Sequence, residues 1–338
     1  MSLADGSAVQ FVGPGNVDVV GVEPPTPEPD GVVVETACSA VSAGTELLVY
    51  HGNVDDETIA DEKLPALSGT LSYPLRYGYA AVGRVTKVGP RVDPEWHGQR
   101  VFAFNPHESH FRADPSDLHP VPDGIGTERA ALFANVETAI NFALDSAPRI
   151  GENVAVFGQG VVGLLTTAVL SEMPIERLIA VEPLERRRAL AARMGADETI
   201  DPSVCEPATT IHELAGGVDT AIEVSGCPET LETAVESTRY GGRVIVGSWY
   251  GTKRGSINLG DHYHRGRISI ESSQVSTISP ELSSRWDKNR RRETAWKQLQ
   301  RLKLDSLITH RFEIGAASDA YRQLTERPEE TLQVLLTY

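Results

Sequence analysis

The stretch Asn153-Val-Ala-Val-Phe-Gly-Gln-Gly-Val-Val-Gly163 decides the fold: an apolar β-type run feeds Gly158, Gly160 and Gly163 in G-x-G-x-x-G spacing, and a helix-like segment follows. This pattern is a dinucleotide-binding turn. The first glycine permits the tight turn, the second lets a pyrophosphate approach the backbone, and the third lets helix pack on strand. The helix N-terminus beginning at Val161 and Val162 then offers N–H groups to the phosphates. A second apolar strand, Leu178-Ile-Ala-Val-Glu182, ends in an acid 19 residues beyond Gly163, close to the ~20 at which a carboxylate accepts ribose hydroxyls. Glycine spacing alone is weak; the strand before, the helix after and the acid beyond are separate requirements, and all are met.

Outward from this turn the chain changes character. Residues 1–135 carry β-type alternation with Pro and Gly punctuation, as in Gly31-Val-Val-Val-Glu-Thr and Ala80-Ala-Val-Gly-Arg-Val, and read as a β-rich, barrel-like domain. Residues 136–275 alternate strands with helices, the pattern of an α/β doubly wound parallel sheet; 276–338 turn polar and end in a helix and an apolar strand, a segment that the family resemblance given below assigns to the first domain. The polar run Arg285-Trp-Asp-Lys-Asn-Arg-Arg-Arg292 is the one basic cluster; it reads as a solvated helix start, with an anion clamp as the alternative.

A length of 338 residues suits two domains. No run approaches the ~20 apolar residues of a membrane span, and the N-terminus lacks a secretory pattern, so a cytoplasmic location is expected. The formal charge of −16 argues against nucleic-acid and anionic-membrane partners. Lysine is confined to Lys63, Lys87, Lys253, Lys288, Lys297 and Lys303 while arginine is abundant. That composition fits an acidic, salt-adapted (halophilic) surface, and equally a coding bias toward arginine. Cys38, Cys205 and Cys227 are scattered, without C-x-x-C spacing, and read as buried thiols.

The order of a β-rich domain, a G-x-G-x-x-G domain and a C-terminal return resembles the medium-chain dehydrogenase/reductase superfamily of zinc-type alcohol dehydrogenases. Ser42-Ala-Gly-Thr-Glu46, Tyr77-Gly-Tyr-Ala-Ala-Val-Gly-Arg-Val, Gly98-Gln-Arg-Val and Gly216-Gly-Val-Asp-Thr-Ala-Ile-Glu-Val-Ser-Gly match it. The resemblance implies a GroES-like barrel beside a Rossmann domain. Ser42–Glu46 and Asn135-Val-Glu-Thr-Ala look closest to the branch containing bacteriochlorophyllide a hydroxyethyl dehydrogenase, a likeness that leaves the substrate open. Homodimers or homotetramers are what the superfamily implies.

Zinc-containing members carry Cys-Gly-Thr-Asp, Gly-His-Glu and a third ligand. Those positions read Ala43, Gly78-Tyr79-Ala80, and Ala134 or Asn135, and the four-cysteine structural lobe is absent. Alanine supplies no donor, so no zinc and no other metal is expected. A replacement site from His107 and His110, with Glu46 or Glu137, is weighed and discounted, because side chains three apart in a strand face opposite ways; surface, hydrogen-bonded histidines are the preferred reading.

Hydroxyls must then do the proton work. Thr45 matches the superfamily's relay Ser/Thr, and Tyr79 stands where the ligand histidine would project, either hydrogen-bonding a developing alkoxide or merely plugging the metal cavity. His51 is displaced from the relay-histidine position, here Leu48. Glu182 would repel the 2′-phosphate of NADP and accept the ribose hydroxyls of NAD, so NAD is the expected cofactor; Arg186, Arg187 and Arg188 keep NADP as the alternative, with Arg187 by the adenosine. The resemblance further implies Gln159 within the phosphate turn, Thr138 under the nicotinamide, Ser225 and Gly226 near the adenosine, and Val246, Gly247 and Ser248 along the carboxamide with Ser272, Ser273 and Gln274 opposite.

The leading expectation is a zinc-independent oxidoreductase moving hydride between a nicotinamide and a secondary alcohol, ketone or aldehyde. The alternatives are an NADPH-dependent enoyl or quinone reductase and a non-catalytic dinucleotide-binding regulator.

Overall fold

Strands interrupted by exposed residues and continuously buried ones produce two kinds of sheet in the computed structural model, which describes residues 6–338. These fall into two units, the described residues up to Ala134 with Leu304–Tyr338, and Asn135–Lys303. The first unit opens with β1 (Gly6–Gly13), β2 (Asn16–Val22), β3 (Val32–Val41), α1 (Ala43–Tyr50), β4 (Ala81–Val88), β5 (Arg100–Ala103), β6 (His110–Ala113), β7 (Leu118–Pro120) and α2 (Thr127–Ala130). The chain continues through α3 (Phe133–Ser146), β8 (Asn153–Phe157), α4 (Val161–Leu170), β9 (Arg177–Val181), α5 (Glu185–Arg193), β10 (Glu198–Ile200) and α6 (Pro207–Ala215). There follow β11 (Val218–Glu223), α7 (Glu229–Glu236), β12 (Thr238–Val246), α8 (His262–Arg265), β13 (Ser269–Ser272) and α9 (Lys288–Arg301). It re-enters the first unit as β14 (Ile308–Glu313), α10 (Ala317–Glu326) and β15 (Gln333–Thr337).

In the first unit, the main sheet runs β14-β15-β3-β4-β5-β7 among the described residues, with β6 also on β3. The returning β15 pairs antiparallel with β3, Val334 opposite Val41, which is how the chain's last segment completes this sheet. Val32, Val34, Ala81, Val85, Val101 and Phe111, at i, i+2 or i+4 spacing along their strands where two share one, fill one core. A second core joins Phe11, Val41, Leu48, Val49, Tyr321 and Leu336.

The second unit holds a parallel sheet ordered β10-β9-β8-β11-β12-β13 among the described residues. Every residue of β8 is buried. Alternate residues serve two cores: Ala155, Phe157, Ile179 and Val181 feed one, and Val154, Val156, Leu178 and Ile222 the other. A sheet covered on both faces needs such continuous apolar strands. The order places β8 and β11, which lead their chains to opposite sides, next to each other; crevices for dinucleotides form at the carboxyl ends of strands at such a reversal. The expected Rossmann fold and β-rich companion are thus what the chain adopts.

The return to the first unit begins at Leu304, whereas the sequence placed residues 276–303 with the barrel. Helix α9 stays with the second unit because its Arg291 forms an ion pair with Glu137 of α3, at 3.0 Å. Among the described residues no helix is long and apolar enough to cross a membrane.

Candidate functional site

At the end of β8, Gly158 has φ +93°, and a Cβ there would stand 2.6 Å from Ser225 Cα. A Cβ on Gly163 would lie 1.9 Å from the Gly158 carbonyl oxygen. The first and third glycines are therefore demanded by the protein's own packing. Gly160, the N-cap of α4, is different: a Cβ there meets nothing within 4 Å. Its open face is where the motif's logic puts the pyrophosphate. Val161 and Val162 form the half-buried first turn beside it.

Gln159 turns inward. Its Nε2 donates to the Val156 carbonyl at 3.2 Å, its Oε1 accepts from Thr167 at 3.0 Å, and its N–H donates to Glu182 Oε2 at 2.6 Å. Glu182 is 4% exposed, and its Oε1 accepts from Leu184 N at 3.1 Å. The carboxylate predicted to meet the ribose is thus held by backbone donors on both oxygens. Arg188 is a strut, donating to the Glu182 carbonyl at 2.8 Å and pairing with Asp201 at 2.8 Å. At Arg187, burial pulls the pKa down and the Glu182 charge pushes it back.

The strand ends share one rim. Phe157 is level with Glu223, Glu223 with Val246, and Val246 with Ser272. Buried Glu223 accepts from Ser225 N at 2.7 Å, from the Ser225 hydroxyl and from the Tyr250 hydroxyl, so Ser225 is fixed as a turn-former. Gly226 N donates to Ser248 Oγ at 2.9 Å. Gly247 packs on α3, where a Cβ would come 2.3 Å from Phe142. Ser272 and Gln274 are exposed, whereas Ser273 is buried, with Asn141 Nδ2 donating to its hydroxyl at 2.9 Å and that hydroxyl donating to Asp145. Thr138 is half-buried on α3.

In the first unit, Tyr79 is half-buried and its hydroxyl donates to Thr45 Oγ1 at 3.2 Å, with a short hydrogen bond to Ser42 Oγ as well. Ser42 and Thr45 belong to the N-cap and first turn of α1. Burial pushes the Tyr79 phenol above its usual pKa, opposed by these two hydroxyls and reinforced by Glu46. Glu46 reaches back so that its Oε1 accepts from Ser42 N at 2.7 Å, closing the helix start from within. Its Oε2 lies 2.9 Å from His107 Nε2 and accepts from Tyr321 at 2.5 Å. His107 Nδ1 meets Ser39 Oγ at 2.7 Å, and Ser39 meets Tyr338 at 2.8 Å.

Several expectations need correction. His107 is fully buried rather than on the surface: its ring sits against Gly78, where a Cβ would come within 2.6 Å, and both ring nitrogens find partners inside, Ser39 and Glu46. Arg291 is 1% exposed, not part of a solvated helix start; it shares a buried stripe of α9 with Ala295 and Leu299. Among the cysteines only Cys38 is buried, its thiol pushed up to about 12 by burial, while Cys205 is half-buried and Cys227 exposed. Sequence reasoning missed the Glu46–His107–Tyr321 cluster. A usable signal lay in Ser42 and Glu46, a hydroxyl and an acid flanking a helix start; for Arg291 it lay in a charge at i, i+4 spacing from Ala295 and Leu299.

The donors present do not suit the zinc that the superfamily implies. The matching positions offer Ala43, Ala80 and a phenol held in its neutral form, and both Glu46 oxygens already accept from Ser42 and Tyr321. The carboxylate of Glu137 is engaged by Arg291 and Arg292, and the ring of His110 by Ser109. Among the described residues no three His, Cys, Asp or Glu side chains gather. Such a set does not fit tetrahedral zinc.

Residues 161–289 match the family described as zinc-binding dehydrogenase. The chain is 24% identical over 272 residues to D-guloside 3-dehydrogenase of Escherichia coli K12, across 78% of each protein. It is 28% identical over 264 residues to (R,R)-butanediol dehydrogenase of Bacillus subtilis 168, across 69% of this chain and 75% of that one. A solved alcohol dehydrogenase of Escherichia coli CFT073, complexed with NADH, has the same fold at a TM-score of 0.80, with 18% identity over 98% of this chain and 99% of its own. With the glycine turn, the sheet order and these relatives together, residues 161–289 belong to the zinc-binding dehydrogenase family, and the chain, similar throughout to zinc-type medium-chain dehydrogenases/reductases, is an NAD(P)-dependent oxidoreductase.

Proposed function

We propose that this protein interconverts a secondary alcohol and its ketone with NAD, and that the Tyr79 phenol, not zinc, handles the proton. The observation that carries the reading is the hydrogen-bonded trio of Tyr79, Ser42 and Thr45 at a position where zinc-binding relatives have a ligand. The bound nicotinamide would supply or accept the hydride. A phenol kept neutral by burial is a donor at physiological pH, able to hydrogen-bond a developing alkoxide and give up its proton. Thr45 and Ser42 orient that O–H, and their own hydroxyls offer the path by which the proton is restored. The relatives' names, a guloside and a butanediol dehydrogenase, support an alcohol or polyol substrate.

Glu182 supports NAD over NADP, since its fixed carboxylate would meet a 2′-phosphate with like charge. The test is steady-state kinetics on alcohol and ketone panels with EDTA-dialysed protein. Turnover that survives dialysis and falls by roughly 10²-fold or more in Tyr79→Phe, the usual worth of a general acid, is the expected result. Activity that tracks stoichiometric zinc, or a Tyr79→Phe variant with normal kcat, would overturn it.

A further inference from the structure

Arg291 is the largest fully buried side chain among the described residues. Its guanidinium has five N–H donors, and all are used. Nε and Nη2 donate to Glu137 Oε1 at 3.1 and 3.0 Å, Nη1 donates to Asn141 Oδ1 at 2.5 Å and the Thr277 carbonyl at 3.0 Å, and Nη2 donates to the Val275 carbonyl. Asn141 passes the connection on, donating to Ser273 Oγ at 2.9 Å. One side chain thus ties three pieces of the second unit: α9, the face of α3 carrying Glu137 and Asn141, and the segment that leaves β13.

Where that segment lies gives the tie a meaning. Ser272 closes the rim row that begins at Phe157, three strand spacings away through Glu223 and Val246, or about 14 Å at the usual interstrand spacing. Glu182 marks the β9 side of the glycine turn for the adenosine, and a dinucleotide laid across a sheet of this order extends to the other half. The β12–β13 end therefore faces the nicotinamide. A buried charge is expensive, and an apolar residue on the Ala295–Leu299 stripe would pack α9 as well. Arg291 does what an apolar residue there would not: it grips the Val275 and Thr277 carbonyls immediately beyond the rim.

We infer that Arg291 is a positioning residue for the nicotinamide half of the cofactor site, holding the Ser272–Gln274 rim at a fixed height against α3. The inference rests on the dinucleotide reading of the glycine turn but not on Tyr79, the alcohol substrate or the absence of zinc.

The test uses two probes, NADH and ADP-ribose, which share the adenosine and pyrophosphate and differ in the nicotinamide. Their affinities are measured by titration calorimetry for the wild type, Arg291→Lys, the double variant Arg291→Met/Glu137→Met, which removes both members of the fully buried ion pair together, and Arg290→Gln as an exposed control on the same helix. Arg291→Lys and the double variant should bind NADH roughly tenfold more weakly, about the loss of one good hydrogen bond's worth of placement, with ADP-ribose affinity unchanged; Arg290→Gln should match the wild type. Equal weakening of both ligands means general loosening and overturns the inference, as does unchanged NADH affinity in both variants. A wild type that binds neither ligand would defeat the cofactor reading itself, a failure visible before any variant is made.

Discussion

Glu46 Oε2 and His107 Nε2 lie 2.9 Å apart with both side chains wholly excluded from solvent, joining the first turn of α1 to the segment before β6. Neither residue faces solvent, yet Ser42 and Thr45 stand on the turn they secure. His107→Leu leaves the carboxylate one donor short. A buried group stranded in this way costs about 1–3 kcal/mol, and urea unfolding should show that loss, with kcat falling as the hydroxyl trio loosens. An unchanged urea midpoint would mean that Ser42 and Tyr321 suffice for Glu46.

The glycines of the turn separate into two classes by what surrounds them. Gly163→Ala would drive a Cβ into the Gly158 carbonyl, and the protein should lose several kcal/mol, about 3 or more, or fail to accumulate. Gly160→Ala meets open space, so its thermal midpoint should stay near that of the wild type while NADH affinity drops by roughly tenfold or more. Loss of stability in Gly160→Ala with intact NADH binding would invert this assignment.

Cofactor choice should follow Glu182. Replacing it by alanine removes the acceptor for the ribose hydroxyls and the charge opposing a 2′-phosphate, so kcat/KM should fall with NADH and rise with NADPH, each by roughly tenfold. The Gln159 and Leu184 N–H groups would be left to water or to the phosphate. Wild-type protein preferring NADPH would refute the role given to this acid.

Alkaline pH should unfold the protein early. Burial raises the pKa of Tyr79 and Tyr338 and carries that of Tyr321 well above the ordinary 10.0, with Glu46 adding to the effect at Tyr321. Below pH 10 these phenols are neutral in both states and cost nothing. Above it the unfolded chain ionises first and binds fewer protons than the native one, so stability falls as pH rises. The urea midpoint should be insensitive to these groups at about pH 8 and decline steeply by about pH 11. Tyr321→Phe should soften that decline, and an identical slope would remove Tyr321 from the account.

Much of the site was legible because it is local. Gly158, Gly160 and Gly163 sit within one turn and Glu182 at the end of the next strand, so backbone geometry ties spacing to role. The same holds for Ser42 and Thr45, one helical turn apart. His107 and Arg291 were illegible for the opposite reason: their partners Glu46 and Glu137 are 61 and 154 residues away in sequence. A histidine in a Pro-rich segment and an arginine in a basic run both look solvated until the partner is known. The boundary at Leu304 was misplaced through the same arginine, since its anchoring to α3 is what keeps α9 in the second unit.

The pairing of β15 with β3 sets an order of events during synthesis. The strands of the parallel sheet are contiguous in sequence, and that sheet can close as soon as β13 leaves the ribosome. The antiparallel sheet cannot: Val41 waits for Val334, and Ser39 for the hydroxyl of Tyr338. The nascent barrel must therefore persist with an open edge while a complete nucleotide-binding unit is made and folded behind it, a span in which non-local pairing is slow and exposed strands invite association. Chaperone dependence of this protein, if measured, should map to the strands around β3 and be relieved only when β15 arrives.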